Sequence, residues 1–346
     1  MNDIEKIVVS GRNFYLDNTK FFLITMVIWG HVLSNLCEGE LCHGVDSFIY
    51  VFHMPLFIFI SGYFTKVQDS KKFWKATGRL FETLIIFDVI HVIIRIAAGK
   101  IVVGEENFWT AFYSPQWSLW YLLSLISWRI MIYYVSKKIK IAPPTLIILS
   151  IVLGLLAGFV PVSRELGFQR TFFFLPFFTL GYVCRHIKFD FGTLQKIPVF
   201  LATCILMVVL FSILHFGFHF KSLLMGCNTY YKYDNPLAVS LYVRFATYLG
   251  CFITSICILR FIPQQGSKWM SSQGAHTLYY FLYHTIIIYF LMALSAYFKL
   301  PTSFLMSVIY TVIIVVAVWA LQKVKIFRVL PNIISFYRER IKFTII

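Results

Sequence analysis

Lys20 and His31 form the first pair of side chains in this sequence whose types and spacing suggest chemistry. They lie in the stretch 12–31, where a polar, charged start leads into a long apolar segment. Eleven residues of α-helix separate them by about 16 Å along the axis and about 20° around it, so both lie on one face. A titratable group inside an apolar helix is a functional candidate. A histidine held by a neighbouring helix is the alternative, and this segment alone does not decide between them.

Three further titratable groups fall at a similar depth when the apolar segments are placed across a bilayer. At 1.5 Å per residue, the four groups differ in depth by only about 3 Å. A buried histidine can take a proton from a hydroxyl near neutral pH, and a carboxylate can fix its tautomer. A proton relay is the competing interpretation. The predicted reaction centre consists of His31, His53, Asp88 and His284.

The composition places these groups in a membrane. Of the 346 residues, 59% are hydrophobic and 13% are charged, whereas a soluble domain averages about 25% charged residues. We predict an all-α integral membrane protein, a bundle of about ten transmembrane helices in one domain over residues 1–346, because each apolar segment has about the length that a bilayer requires. The segments cover about residues 20–37, 45–64, 79–98, 116–135, 144–160, 168–184, 197–217, 237–261, 275–295 and 302–322.

The distribution of positive charge predicts the orientation of the bundle. Of the 31 lysines and arginines, 22 lie at the termini and in alternate loops, and five lie in the other loops. Because cytoplasmic loops are rich in these residues, we place the segment 1–19 and the basic tail 323–346 in the cytoplasm. We expect the tail to be solvated or to contact lipid headgroups. The net charge of +16 thus reflects topology and does not indicate nucleic-acid binding.

The basic residues near or inside the segments fall into an inner and an outer group. An inner cluster of cations offers charge-assisted contacts to a polyanionic ligand. The outer arginines could bind a ligand or only cap a carbonyl, and the sequence leaves both roles open. The inner group contains Lys20, Lys72, Lys75, Arg79 and Arg129. The outer group contains Arg95, Arg170 and Arg244, and the aromatic Trp120 lies at a similar depth.

Cys37 and Cys42 flank a short acidic stretch in the first outer loop. They could pair if the outside is oxidising, and the sequence does not decide whether they do. The other cysteines lie in or beside apolar segments, where we expect inert thiols.

The order and spacing of five motifs resemble the membrane-bound acyltransferase family 3, and within it the fucose 4-O-acetylase-like branch. Lys20 and His31 match a basic residue followed, after ten residues, by histidine. Further matches are FHMPLFIFISGYF at 52–64, LWYL at 119–122, RTFFFLPFFTLGY at 170–182 and LYH at 282–284. The third segment departs from the family, which often has two arginines three residues apart there. Arg79 stands alone, and Lys75 is the candidate substitute for the missing arginine.

The resemblance implies an O-acetyltransferase of the bacterial cytoplasmic (inner) membrane. Its donor would be cytoplasmic acetyl-CoA, a co-substrate, with no bound cofactor and no metal. Its acceptor would be a sugar hydroxyl of an envelope or exported glycan, or of a lipid-linked sugar. The inner group would bind the donor. The acceptor would be bound by Trp120, Arg170 and Arg244.

Two other functional classes stay open at this point. One is a transporter or flippase for an anionic glycan, although the repeated halves and broken helices typical of transporters are not evident in the sequence. The other is a catalytically silent membrane partner. Cleavage of acetyl-CoA by the purified protein would distinguish the enzyme from both.

Overall fold

The computed structural model describes residues 13–98, 118–162, 165–216, 219–232, 236–265 and 268–335. Within these residues the chain forms ten long helices, and no β-strand is found in them. The all-α prediction is confirmed for this part of the chain. The helices are α1 Phe14–Leu36, α2 Glu40–Phe64, α3 Ser70–Ala97, α4 Trp120–Tyr134, α5 Pro143–Leu156, α6 Phe168–His186, α7 Val199–Phe216, α8 Leu237–Phe261, α9 Thr277–Phe298 and α10 Phe304–Leu321.

Each long helix coincides with one of the ten predicted segments. Five of them, α1, α2, α8, α9 and α10, are long and apolar enough to cross a membrane by themselves. Two shorter apolar helices cover Pro143–Phe159 and Val199–His215. These helices are those of a multi-pass membrane protein. The predictions of ten crossings and of cytoplasmic termini go beyond these five spans and stay predictions.

The start of α3 differs most from the predicted boundary. The helix begins at Ser70, whereas the apolar segment was predicted to begin at residue 79. Asp69 caps it, because its Oδ1 accepts a hydrogen bond from the backbone N–H of Lys72 at 3.0 Å. The same bond holds the pKa of Asp69 below its usual range. The cations predicted in a loop therefore lie on the first turns of a helix.

The orientation of α1 against α2 defines two ends of the bundle. The Nζ of Lys20 lies 4.8 Å from the ring centroid of Phe64, and the Oγ of Ser34 donates to Asp46 Oδ2 at 2.8 Å. The two helices therefore run antiparallel. We call the end with Lys20 and Phe64 the basic end, and the end with Ser34 and Asp46 the far end.

Helices α2 and α6 cross with almost no space between their backbones. A Cβ at Gly62 would clash with the carbonyl of Phe178, and a Cβ at Gly181 would clash with the carbonyl of Phe59. Small residues permit such close approach where helices pack in a membrane. This crossing is the most extensive helix pair in the described chain, and it positions the residues before and after it on both helices.

We expect Gly181→Ala to lower the stability of the protein by about 1–3 kcal/mol, because overpacking a tight contact forces the backbones apart. Thermal unfolding of the detergent-purified variant measures the effect. Gly250→Ala is the matched control, since a Cβ at Gly250 meets nothing within 4 Å. Equal melting temperatures for the two variants would show that the crossing tolerates a methyl group.

The segment after α10 packs against the bundle. The Oγ1 of Thr83 on α3 donates to the carbonyl of Pro331 at 2.8 Å, and the hydroxyl of Tyr283 on α9 donates to the carbonyl of Phe327 at 2.8 Å. The backbone N–H of Ser335 donates to Glu82 Oε1 at 3.0 Å. The tail therefore packs against the bundle at several points up to residue 335, while its cations Lys323, Lys325 and Arg328 are exposed, as expected for a solvated or lipid-bound segment. Residues 336–346 lie outside the described chain.

A disulfide closes the connection between α1 and α2 at the far end. It joins Cys37 and Cys42, whose Cα atoms are 5.9 Å apart. Beside it, the backbone N–H of Glu38 donates to the carbonyl of Thr302 at 2.9 Å. A structural disulfide is typical of an oxidising compartment, which agrees with the predicted outward orientation of the far end.

Candidate active site

Three helices bring histidines together inside the bundle. His31 on α1 and His284 on α9 lie with their ring centroids 5.3 Å apart. His31 also interacts electrostatically with His53 on α2. His53 is 4% exposed and His284 is fully buried. The predicted shared depth of these three side chains therefore corresponds to a common site, which we call the histidine cluster.

The backbone fixes the tautomers of two of these histidines. The carbonyl of Ile49 lies 2.7 Å from His53 Nδ1, and the carbonyl of Tyr280 lies 2.8 Å from His284 Nδ1. Because a carbonyl only accepts, each Nδ1 carries a hydrogen and each neutral ring keeps its lone pair on Nε2. The Nε2 of His284 is buried and has no hydrogen-bond partner in the described chain. That atom can accept a proton.

Asp88, predicted to orient a catalytic histidine, makes no hydrogen bond to any histidine of the described chain. Its Oδ1 is buried without a hydrogen-bond partner there. One turn further along α3, the fully buried His91 meets Thr285 on α9, with 3.0 Å between Nε2 and Oγ1. His91 therefore provides a polar contact from α3 to the helix that carries His284. The orienting role of Asp88 stays a prediction without a contact to support it.

Lys221 lies beside the histidine cluster, and sequence reasoning assigned it only to an outer loop. It belongs to the short helix His219–Leu224, forms an ion pair with Asp46 on α2 and donates to Ser34 Oγ at 2.9 Å. Its Nζ also lies 5.0 Å from the ring centroid of Tyr50, and the Tyr50 ring packs edge-on against His53 at 4.7 Å. Asp46, an acid at the start of an apolar segment, was the available signal.

Arg170 and Trp120, both predicted to bind the acceptor, lie together at the far end. The Arg170 guanidinium carbon lies 4.9 Å from the Trp120 ring centroid, and its Nε donates to the carbonyl of Met225 at 3.2 Å. Arg170 also interacts electrostatically with His31. The Trp120 ring, 7% exposed, stacks on Phe174 at 5.6 Å. We infer that Trp120 positions Arg170 and offers little surface to a sugar.

Arg244, also predicted to bind the acceptor, lies in a different environment. It is 7% exposed, and its guanidinium carbon lies 5.2 Å from the ring centroid of Phe173 and 5.3 Å from that of Tyr230. It lines a cavity to which none of the other predicted site residues contributes in the described chain. The depth estimated from the sequence placed Arg170 and Arg244 in one group. In the structure, the two arginines contact different residues.

The predicted donor residues lie on several helices at the basic end. Lys20 forms an ion pair with Asp17 at 2.8 Å. Arg129 Nε donates to Thr77 Oγ1 on α3 at 3.2 Å. Lys72 and Lys75 are exposed, and Arg79 is half-buried. These cations surround the bundle end as a basic surface. Their role in binding a donor stays a prediction.

A cavity of about 330 Å³ at the basic end lies apart from these residues. It is formed where α4, through the π-helical turn Val135–Ile139, meets the start of α5 and the end of α6. Its basic lining residues are Lys137, Lys140 and His186. The loop after α4 is therefore a second place where an anion could bind.

The site thus combines a buried proton acceptor with cations at the basic end and an arginine at the far end.

One stretch of the chain is 39% identical over 71 residues to the nodulation protein NolL of Mesorhizobium japonicum, and it covers 18% of each protein. No solved structure matches the chain. The family described as an acyltransferase domain matches residues 13–323, which include every predicted site residue. The chain therefore belongs to acyltransferase family 3.

Proposed function

We propose that this protein is an O-acetyltransferase of the bacterial cytoplasmic membrane. It takes acetyl from acetyl-CoA at the basic end and transfers it to a sugar hydroxyl that reaches the cluster from the far end. The acceptor class is an envelope or exported glycan, or a lipid-linked sugar. The similarity of residues 52–64 to the fucose 4-O-acetylase-like branch favours the sugar acceptor, and the excess of cations at the basic end favours the polyanionic donor.

The observation that carries the proposal is the contact between His31 and His284. A hydroxyl is a weak nucleophile and needs a base as it attacks a thioester. His31 takes that proton, and the unpartnered Nε2 of His284 beside it can accept a hydrogen bond from the resulting imidazolium. The hydroxyl oxygen bonds to the acetyl carbon, the carbon–sulfur bond breaks, and the proton passes to the coenzyme A thiolate.

The two substrates approach from opposite ends of the bundle in this proposal. Lys20 lies about 16 Å below His31 on the same helix, since eleven residues separate them. The pantetheine arm spans that distance while the phosphates stay near the cations of the basic end. At the far end, Arg170 and Lys221 lie close enough to interact electrostatically with His31, and both are hydrogen-bond donors suited to sugar hydroxyls.

Acetyl-CoA cleavage by the purified protein tests the proposal. Detergent-solubilised protein is incubated with acetyl-CoA labelled in the acetyl group, with and without a membrane glycan extract. We expect slow release of free coenzyme A alone and faster release with labelled glycan when the extract is present. A flippase would release none. Labelled glycan without coenzyme A release, or no reaction with any extract, would contradict the proposed chemistry.

We expect the KM for acetyl-CoA to be about threefold higher or more in the triple variant in which Lys72, Lys75 and Arg79 are replaced by alanine. Three partly exposed charge pairs of about 0.2–1 kcal/mol each would be lost. Initial rates at physiological salt measure the KM.

The matched control removes the same charge from the neighbouring loop, with alanine at Lys137, Lys138 and Lys140. A rise confined to that control would move the donor phosphates to the 330 Å³ cavity that Lys137 and Lys140 line. An unchanged KM in both variants would mean that neither cluster binds the donor and that both reflect only the orientation of the chain in the membrane.

A further inference from the structure

A second cavity, of about 230 Å³, lies at the far end between α8 and the outer segment 223–230. Helix α8 forms one wall, and the outer segment 223–230 forms another. None of the four predicted catalytic residues lines it in the described chain. It is smaller than a typical drug-sized pocket of about 300–1,000 Å³. Its lining residues are Phe173, Leu223, Gly226, Asn228, Thr229, Tyr230, Ser240, Val243, Arg244 and Thr247.

Arg244 is the charged group of this cavity. Its guanidinium lies against the rings of Phe173 and Tyr230, and its Nη2 reaches Gln169 Oε1 at 3.4 Å, which is a long hydrogen bond. Its Nε is buried and has no hydrogen-bond partner in the described chain. The Tyr230 hydroxyl donates to the carbonyl of Leu155 at 2.8 Å, and its oxygen, like that of Tyr248, lies within hydrogen-bonding reach of Arg244.

No carboxylate among the described residues forms an ion pair with Arg244. An arginine side chain is always charged, and a buried charge is costly unless it is paired. The aromatic rings attract a cation by their faces, and the in-plane Nε–H of Arg244 is left without a hydrogen-bond partner in the described chain. That N–H group is suited to an oxyanion, which guanidinium groups bind in their own plane.

We propose that this cavity binds an oxyanion group through Arg244, at a site separate from the reaction centre. The ligand is a carboxylate or phosphate attached to a polar body no larger than one sugar ring or one lipid headgroup, as the cavity volume requires. Thr229 and Ser240 supply neutral hydrogen-bonding groups around it. Binding to this site can be tested without measuring acyl transfer.

Thermal unfolding with matched pairs of ligands is the test. Glucuronate is compared with glucose at equal ionic strength, and nanodiscs with phosphatidylglycerol are compared with nanodiscs of phosphatidylcholine. We expect either glucuronate or phosphatidylglycerol to raise the melting temperature of the wild-type protein by about 2–4 °C, with saturation. The reason is that a ligand that binds only the folded state stabilises that state. A response to glucuronate identifies a soluble or glycan acid, and one to phosphatidylglycerol identifies a lipid headgroup.

Three variants assign the effect to the cavity. Arg244→Met should abolish the anion response. It should not lower the melting temperature measured without anion, because methionine has a volume similar to that of arginine and the variant no longer buries an unpaired charge. Arg260→Met is the matched control on the same helix, because Arg260 binds Gln195 and the carbonyl of Ile197. Ser240→Leu fills the cavity without changing Arg244 and should abolish the response as well.

The proposal is overturned if no anion raises the melting temperature, or if the rise persists in both Arg244→Met and Ser240→Leu. It is also overturned if Arg244→Met is destabilised and the wild type shows no anion response. That result would identify Arg244 as a structural tie between α8 and α6. Should Arg244→Met fail to fold, the Ser240→Leu variant alone decides.

Discussion

The His31→Ala variant is expected to lose acyl transfer by about 10²–10⁴-fold, the usual effect of removing a general base. His31 shares a face of α1 with Lys20 and lies 5.3 Å from the His284 ring. Labelled acetyl transferred per minute by equal amounts of purified protein measures the loss.

The control for His31→Ala is His276→Ala. His276 lies just before α9 and is exposed, and its ring nitrogen meets the carbonyl of Ser272 at 2.8 Å. This variant should keep wild-type transfer. If His31→Ala retains more than a tenth of the wild-type rate while folding normally, then His31 is not the base and the role passes to His284 or His53.

Arg170→Ala is expected to reduce transfer to the acceptor by about 10–150-fold and to leave acceptor-independent cleavage of acetyl-CoA nearly unchanged. The loss corresponds to about 1.5–3 kcal/mol for a charged hydrogen bond to a neutral hydroxyl. Arg170 lies at the far end, whereas the donor is expected at the basic end. Both rates are measured on the same preparation of the variant.

Arg185 on the same helix offers a matched control for Arg170. Its Nη1 donates to the carbonyl of Tyr63 at 3.2 Å and its guanidinium carbon lies 5.7 Å from the Tyr63 ring centroid. Arg170 makes the same two kinds of contact, but at the far end. Arg185→Ala should not separate transfer from cleavage. Parallel loss of both rates and of thermal stability in Arg170→Ala would mean that Arg170 only ties α6 to its neighbours.

Helix periodicity explains why part of the site could be predicted from the sequence. The spacing of Lys20 and His31 fixes their relative position, because one continuous helix, Phe14–Leu36, contains both. Counting residues from the basic end also gave a common depth for His31 and His284, which do meet. Distance along a helix axis depends only on sequence position, so the depth of a side chain follows from counting residues alone.

Rotation about each helix axis is what the sequence could not supply. Asp88 and His91 are three residues apart and differ by about 60° around α3, and the packing of α3 brings His91 to Thr285. For the same reason, the sequence could not show that Arg170 and Arg244, which were predicted at a similar depth, have different surroundings. Lys221 was missed for another reason, since its position depends on the folding of an outer segment back onto Asp46.

The docking of residues 325–335 has a practical meaning for engineering this protein. Helix α3, which carries Lys72, Lys75 and Arg79, packs mainly against α4 and against Leu330–Asn332. The polypeptide after α10 thus acts as a brace for the helix that bears the predicted donor cations. A purification tag or reporter fused upstream of residue 335 would remove that brace, so a fusion junction belongs beyond it.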